Sequence, residues 1–309
     1  MVIHFDDAAV RAALRWDDLI AAMKTALADF SAGGVLQPLR TWLTVEEGNR
    51  FMGVMPVATP HAMGLKLVSL YPRNAGTGVP TVMATVLLLR PDTGEAIAIL
   101  EGGALTAMRT AAVSAAVTDH LASPDSRVLA LLGSGVQARS HLEALARVRT
   151  FDEIRVWSRT RGNAERFAAL HGATAMDAES AVRGADVIVT ATPAHDPILK
   201  GEWLKRGAHV NAIGAPMPAW RELDDEAMSS VVVVESRDAA RHESGDIILS
   251  NAPIHAEVGE IFAGSKAVPA TETTVFKSVG LAVEDIAAAK LVYDVSARGS
   301  GFAQVRPES

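Results

Sequence analysis

The 309 residues carry 29 Lys and Arg against 36 Asp and Glu, a formal charge of −7, with 49% hydrophobic residues and no cysteine. A net negative chain without a long basic run points away from a nucleic-acid partner, and the lack of cysteine excludes disulfides and thiolate metal sites. Length and apolar content suit two domains, each with its own core. The opening MVIHFDDAAV lacks a basic-then-apolar leader pattern. No apolar run approaches a membrane span, since the richest, 104–117, contains Arg109 and several Thr and Ser. These features read as a soluble cytoplasmic protein with no membrane partner. The nine histidines show no metal-ligand spacing, so no metal is expected.

Up to about residue 100 strand-like pieces dominate: FMGVMPV, GLKLVSLY and VMATVLLLR, the last turned by PDTG into EAIAIL. A helix is predicted over 103–121, closed by Ser123 and Pro124. From Arg127 the texture changes. RVLALLG is followed by VQARSHLEALARV, EIRVWS by GNAERFAALHG, ADVIVTAT by a loop, and HVNAIG precedes VVVVES. Short apolar strands alternating with helices predict a parallel sheet with crossover helices. The closing LAVEDIAAAKLVYDVSARGS reads as an amphipathic helix. The expected fold class is α/β, a Rossmann-type domain plus an α+β domain, with the change of pattern near residue 122.

The run after Arg127 holds the first functional motif. The apolar strand ends in G-x-G-x-x-A, formed by Gly133, Gly135 and Ala138, and a helix follows. The first glycine permits the tight turn, the second lets the backbone approach a pyrophosphate, and the alanine keeps helix and strand close. The helix N-terminus supplies an anion site. An NAD-preferring site places Asp or Glu at the tip of the next strand, against the ribose 2′-hydroxyl. Here that tip reads Ser158-Arg159-Thr160. A guanidinium fork and two hydroxyls suit a 2′-phosphate, so NADPH is the expected cofactor, with NADH possible.

A second constellation is cationic. Arg109 is the one charge in the run of small residues 104–117, Lys66 stands alone in an apolar strand, and Arg40 follows Gln37-Pro38-Leu39. A buried guanidinium or ammonium requires an anion, which could be a structural carboxylate, the cofactor phosphates or a substrate carboxylate. Three such cations outside the glycine-motif domain suggest a carboxylate-binding pocket.

The segments EGGALTAMRTAAVSAAV, LLGSGVQARSHLEAL, RVWSRTRGNAERFA, GAPMPAWRELDDE, HESGDIILS and TTVFKSVGLAVEDIAAAKLVY resemble, in order and over almost the whole chain, the ornithine cyclodeaminase/mu-crystallin family. The resemblance is closer to the mu-crystallin, ketimine reductase branch. It implies a homodimer with a substrate and dimerisation domain over 1–121 and 282–309, and a dinucleotide domain over 122–281. It places Arg40, Lys66 and Arg109 around the substrate carboxylate, and Thr81, Thr110, Val136, Gln137, Ser158, Arg159, Thr160, Thr192, Ile213 and Ser278 against the cofactor. Glu243 falls where mu-crystallin-like proteins have an acid near the ligand, although a helix-end carboxylate explains it equally. His195 could approach the nicotinamide or belong only to its loop.

One departure matters. Cyclodeaminases resemble one another in an Asp two residues after the Ile-Gly turn, whereas here Ile213-Gly214 leads to Pro216, which cannot transfer a proton. Asp224 and Asp225 nearby begin a helix and read as its cap. The implied function is an NAD(P)H-dependent reductase of imine carboxylates, such as Δ1-pyrroline-2-carboxylate or Δ1-piperideine-2-carboxylate, with Lys66, Glu243 or a water managing the proton. Ornithine cyclodeaminase, amino-acid dehydrogenase and a non-catalytic NADPH- and ligand-binding protein are the alternatives.

Overall fold

A computed structural model describes residues 2–74, 76–269 and 271–299. The chain opens with β1 (Ile3–Phe5), α1 (Asp7–Ala13) and α2 (Trp16–Ser31), then β2 (Thr41–Glu46), β3 (Arg50–Ala58), β4 (Met63–Leu70), β5 (Val82–Leu89) and β6 (Ala96–Glu101). After α3 (Gly102–Leu121) come β7 (Val128–Leu132), α4 (Val136–Leu145), β8 (Glu153–Trp157), α5 (Arg161–His171), β9 (Thr174–Ala175), α6 (Ala178–Val182) and β10 (Val187–Thr190). The remainder is β11 (His209–Ala212), α7 (Asp225–Met228), β12 (Val231–Val234), α8 (Arg237–Glu243) and α9 (Gly245–Ser250). It closes with β13 (Ile254–Glu257), α10 (Val258–Phe262), β14 (Thr274–Lys277) and α11 (Ala282–Gly299). The strand-dominated reading of the first hundred residues overlooked α1 and α2.

The chain divides into two compact units, one of Met1–Leu19, Val35–Thr106 and Ala282–Ser309, the other of Ile20–Gly34 and Ala107–Leu281. The division falls inside α3, and the helix from Ala107 onward belongs to the second unit. There Ser114 meets His141 Nε2 at 2.9 Å and Asn211 Nδ2 donates to Thr118 Oγ1 at 3.0 Å.

In the first unit a six-stranded sheet runs β1-β6-β5-β4-β3-β2. Period-two alternation separates its faces. Phe51, Met55, Val57, Lys66, Val68, Leu70, Val86 and Leu88 are buried on one face, against which α11 packs. The approach is close at Gly64, where a Cβ would lie 2.7 Å from Ile286 Cδ1. The other face carries Leu43, Met52, Ser69 and Met83 in register across four strands, with Leu43 54%, Leu67 38% and Met83 39% exposed. The first half of α11 is buried almost all round, Glu284 and Asp285 included, so it is a core helix rather than the amphipathic one its sequence predicts; the final Ser300 of that prediction lies outside the described residues.

The second unit is built on an eight-stranded sheet in the order β13-β12-β14-β11-β10-β7-β8-β9, every pairing parallel. Helical crossovers cover both faces of such a sheet, which is why VLALL, VIVT and VVVV read as unbroken apolar runs. Ala130, Leu132, Ile188, Val210, Val232 and Val275 join in one buried cluster. From β7 the chain goes to β8 on one side and later to β10 on the other. Such a reversal leaves a crevice at the carboxyl ends of the strands, where α/β sheets bind ligands.

Candidate active site

The crevice is a cavity of about 840 Å³ in the second unit, lined among others by Gly133, Gly135, Val136, Ser158, Arg159, Thr160, Thr192 and His195. Gly133 has φ +132°, and a Cβ there would lie 2.6 Å from the Ala191 carbonyl oxygen, so only glycine lets the β7 turn pass the end of β10. Gly135 is the N-cap of α4 and offers no side-chain cap, leaving the first-turn N–H groups turned toward the crevice mouth. Val136, 66% exposed, lines the cavity. Gln137 sits one residue deeper, with a buried Oε1 that has no hydrogen-bond partner among the described residues.

At the tip of β8, Ser134 Oγ donates to Ser158 Oγ at 3.1 Å, which joins the glycine turn to the second strand. Arg159 and Thr160 are exposed, and Thr160 is the N-cap of α5. Sequence reasoning missed Arg139, Arg166 and His171, which line the same cavity. Arg139 lies one turn after Val136 in α4, so helical spacing could have found it, whereas Arg166 and His171 lie in α5 beyond the strand tip with no such signal. The described lining includes a single carboxylate, Asp196, in the loop after β10. His195 stacks on Trp220 with ring centroids 4.7 Å apart, an arrangement that holds the loop as well as lining the cavity.

Thr192, Ile213 and Ser278 sit in or beside turns fixed by buried acids. Thr192 donates through N and Oγ1 to Glu222, each at 2.7 Å, and Ile213 precedes Gly214, whose N–H reaches the same carboxylate at 2.9 Å. Ser278 donates to Glu235 Oε1 at 2.5 Å, and the N–H groups of Val279 and Gly280 reach Oε2 at 2.9 and 2.8 Å. Gly280 has φ +76° and a Cβ on it would come within 2.7 Å of the Arg109 guanidinium. Glu235 therefore shapes the turn against which buried Arg109 lies. Thr110 follows on α3 and is likewise buried. Glu243 is the buried last residue of α8. Asp224 caps α7 by accepting from Ala227 N at 2.8 Å, and Asp225 pairs with Arg221. Pro216 follows Ala215, a non-glycine residue at φ 54°.

Three predicted residues lie in the first unit. Lys66 Nζ is 3.1 Å from Asp285 Oδ1, with side chains 3% and 0% exposed. Of the three kinds of anion that could balance this ammonium, a structural carboxylate is present. Arg40, half-buried, lies 5.8 Å over the Trp42 ring. Thr81 precedes β5, its carbonyl accepting from Tyr71 N at 2.7 Å. Among the described residues no group of His, Asp and Glu could hold a metal ion, and no helix is long and apolar enough to cross a membrane.

This arrangement recurs in known proteins. The chain is 51% identical over 285 residues to the ketimine reductase mu-crystallin of Mus musculus, covering 89% of this chain and 91% of that one. It superposes with a TM-score of 0.91 on Thermococcus litoralis Δ1-pyrroline-2-carboxylate reductase in complex with NADH and L-proline, at 36% identity over 97% and 98% of the two chains. An archaeal alanine dehydrogenase dimer with bound NAD gives a TM-score of 0.90 at 32% identity, covering 99% of each chain. Residues 4–300 match the family as a whole, and with this fold and this crevice the chain belongs to the ornithine cyclodeaminase/mu-crystallin family.

Proposed function

We propose that the protein is an NAD(P)H-dependent reductase of imine carboxylates, converting cyclic ketimines such as Δ1-pyrroline-2-carboxylate and Δ1-piperideine-2-carboxylate to L-amino acids. The observation that carries this reading is the neighbour aligned over 97% of the chain, which holds NADH together with L-proline, the product of reducing a pyrroline carboxylate. The crevice fits such a cofactor. Gly133, Gly135 and the α4 N-terminus would hold the pyrophosphate, Ser158, Arg159 and Thr160 the adenosine ribose, and Thr81, Thr110, Val136, Gln137, Thr192, Ile213 and Ser278 the rest. The reduced nicotinamide supplies a hydride when bound. Arg40, Lys66 and Arg109 are assigned to the substrate carboxylate, which orients the C=N carbon. The imine nitrogen takes its proton from Lys66, Glu243 or a bound water.

Preference for NADPH is part of the same reading. It is supported by Arg139, Arg159, Arg166 and His171 in the cavity lining and by the absence of an acid at the tip of β8 among the described residues. The alanine dehydrogenase neighbour favours amino-acid dehydrogenase as the second reading; that activity would show an absolute requirement for free ammonium. Pro216 in place of an acid argues against cyclodeaminase chemistry. The test is steady-state loss of NADPH absorbance with each cyclic ketimine. No turnover, together with tight NADPH binding, would favour a non-catalytic binder.

A homodimer is proposed through the first unit. The open face of its sheet presents Leu43, Leu67 and Met83 to solvent, an apolar patch that a second copy would cover, and the alanine dehydrogenase neighbour is a dimer. Cytoplasmic location belongs to this proposal and is checked by fractionation.

A further inference from the structure

We propose that Glu222 is a positioning residue: its buried carboxylate locks the turn after β10 to the turn after β11 and so fixes the lip on which the dinucleotide lies. The inference rests on the reading of this unit as a dinucleotide site. Glu222 is fully buried. Oε1 accepts from Thr192 N and Thr192 Oγ1, both at 2.7 Å, and Oε2 from Thr190 Oγ1 at 2.7 Å and Gly214 N at 2.9 Å. Thr190 and Thr192 belong to the end of β10, Gly214 to the turn after β11, and Thr192 lines the cavity. The two turns touch elsewhere as well. Ala215 N donates to Thr192 O at 3.1 Å, and a Cβ on Gly214 would lie 2.2 Å from Thr192 O.

Glu222 is itself held. Its N–H and that of Leu223 donate to Asp246 Oδ1 at 2.8 and 2.9 Å, while Asp246 Oδ2 lies 2.9 Å from Lys277 Nζ. Lys277 also donates to the Gly214 carbonyl at 2.5 Å. Gly214 is thus gripped at its N–H by a carboxylate and at its carbonyl by an ammonium. The cluster holds two carboxylates and one ammonium, all fully buried. A surplus buried negative charge is a poor way to stabilise a fold, and neutral replacement of such charges is often tolerated. Hydrogen-bond capacity explains why a carboxylate is present. An ionised carboxylate offers about four acceptor positions, and here all four face donors, whereas the amide of glutamine has one acceptor oxygen and would turn its NH2 on an N–H. Burial pushes the Glu222 carboxyl up to about 7, with Asp246 reinforcing and Lys277 opposing. A proton there would convert one acceptor position to a donor, as glutamine does.

The experiment uses full-length Glu222→Gln and wild-type protein. Without cofactor, the variant should fold but melt about 2–10 °C below wild type, the cost of one buried N–H left facing the amide NH2. Its Kd for NADPH, from the fluorescence of the bound nucleotide, should rise about tenfold or more, the scale of one lost charge-assisted contact. Glu222→Asp, one methylene shorter, should not restore affinity, since it keeps the charge but cannot reach both turns. With NADH, wild-type affinity should weaken as pH falls through neutrality while the variant stays flat relative to it; His171 and His195 line the cavity in both proteins and cancel in the comparison. A folded Glu222→Gln protein with Kd within about twofold of wild type would overturn the proposal, as would a fall in melting temperature that accounts for the lost affinity. Should the glutamine variant fail to fold, Thr190→Val removes one donor on the strand side, and an unchanged Kd there overturns the proposal equally. Wild-type protein that binds neither NADPH nor NADH would instead sink the dinucleotide reading itself.

Discussion

Lys66 and Asp285 give a test in which structural and substrate roles separate. The ammonium lies 3.1 Å from the carboxylate, and the side chains are 3% and 0% exposed, so water does little to screen the pair. Lys66→Met keeps most of the apolar stem and leaves the Asp285 carboxylate buried without that cation. Breaking a buried pair from one side costs about 3–5 kcal/mol, on the order of a 10–20 °C fall in melting temperature for a unit of this size. Adding Asp285→Asn removes the carboxylate that faced Lys66, so the double variant should recover part of the loss and show a coupling energy of about 2 kcal/mol in the cycle. Thermal melts of the four proteins by circular dichroism measure this directly. Kinetics of the folded double variant then isolate the proposed grip on substrate. kcat/KM for a cyclic ketimine carboxylate should fall about ten- to a hundredfold, with NADPH affinity nearly unchanged. A ketimine without the carboxylate should lose little between wild type and double variant. Additive melting shifts would refute the pair, and a double variant with full kcat/KM would refute the carboxylate clamp.

Arg159→Ala should weaken NADPH by about 1–3 kcal/mol and NADH far less, measured by fluorescence titration; equal weakening of both would remove Arg159 from the 2′-phosphate. Burial holds His141 and His209 down to about 4, so they bind protons in the unfolded chain near pH 6.5 before they do in the folded one, and stability falls as pH drops from 7 to 5 by about 4 kcal/mol for the two. Glu222, raised to about 7, binds its proton first in the folded state and returns about 2 kcal/mol over the same interval. Urea unfolding should therefore show a net loss of about 2 kcal/mol in wild type and about 4 in Glu222→Gln, and a pH-independent stability would contradict the burial of both histidines. If the proposed homodimer forms through the open sheet face, wild type should scatter as a dimer and Leu43→Glu as a folded monomer; a dimeric Leu43→Glu would move the interface elsewhere and a monomeric wild type would refute the dimer. L-Ornithine with catalytic NAD should give no proline, as Pro216 cannot supply the acid; proline at ordinary enzymatic rates would restore the cyclodeaminase reading.

What the sequence revealed follows the range of the constraint behind each residue. The β7 turn and α4 were legible because their signal is local: Gly133 adopts φ +132°, and the strand and helix flank it directly in the chain. The strand tip at Ser158-Arg159-Thr160 was legible for the same reason. Helix α2 was overlooked although Leu19, Ile20, Met23, Ala26 and Leu27 are buried at helical spacing, because the strand-like runs after it dominated the reading. Strand β14 escaped for a different cause. Its Thr274 and Lys277 look polar, and both are buried through partners distant in the chain: His209, which meets Thr274 Oγ1 at 2.8 Å, and Asp246.

The buried acids carry this further. Glu222 stands in RELDDE, which reads as the start of a helix, and Asp224 two residues on does cap one. Nothing in that segment distinguishes the capping acid from the clamping one. The difference is made by Thr190 and Thr192, some thirty residues upstream, and by Lys277 beyond. Lys66 has the same history: its cation was visible as an anomaly in an apolar strand, but Asp285 lies 219 residues away. A lone charge in an apolar run therefore announces that a partner exists without naming it. Here Asp285 and Asp246 are such partners, for Lys66 and Lys277, while the buried acids Glu222 and Glu235 brace turns at the ends of the parallel strands through hydroxyl and N–H donors. A reductase needs those turns at fixed positions while its ligands come and go. Charged hydrogen bonds in dry surroundings supply that fixity, because each donor they hold would be costly to leave unmade.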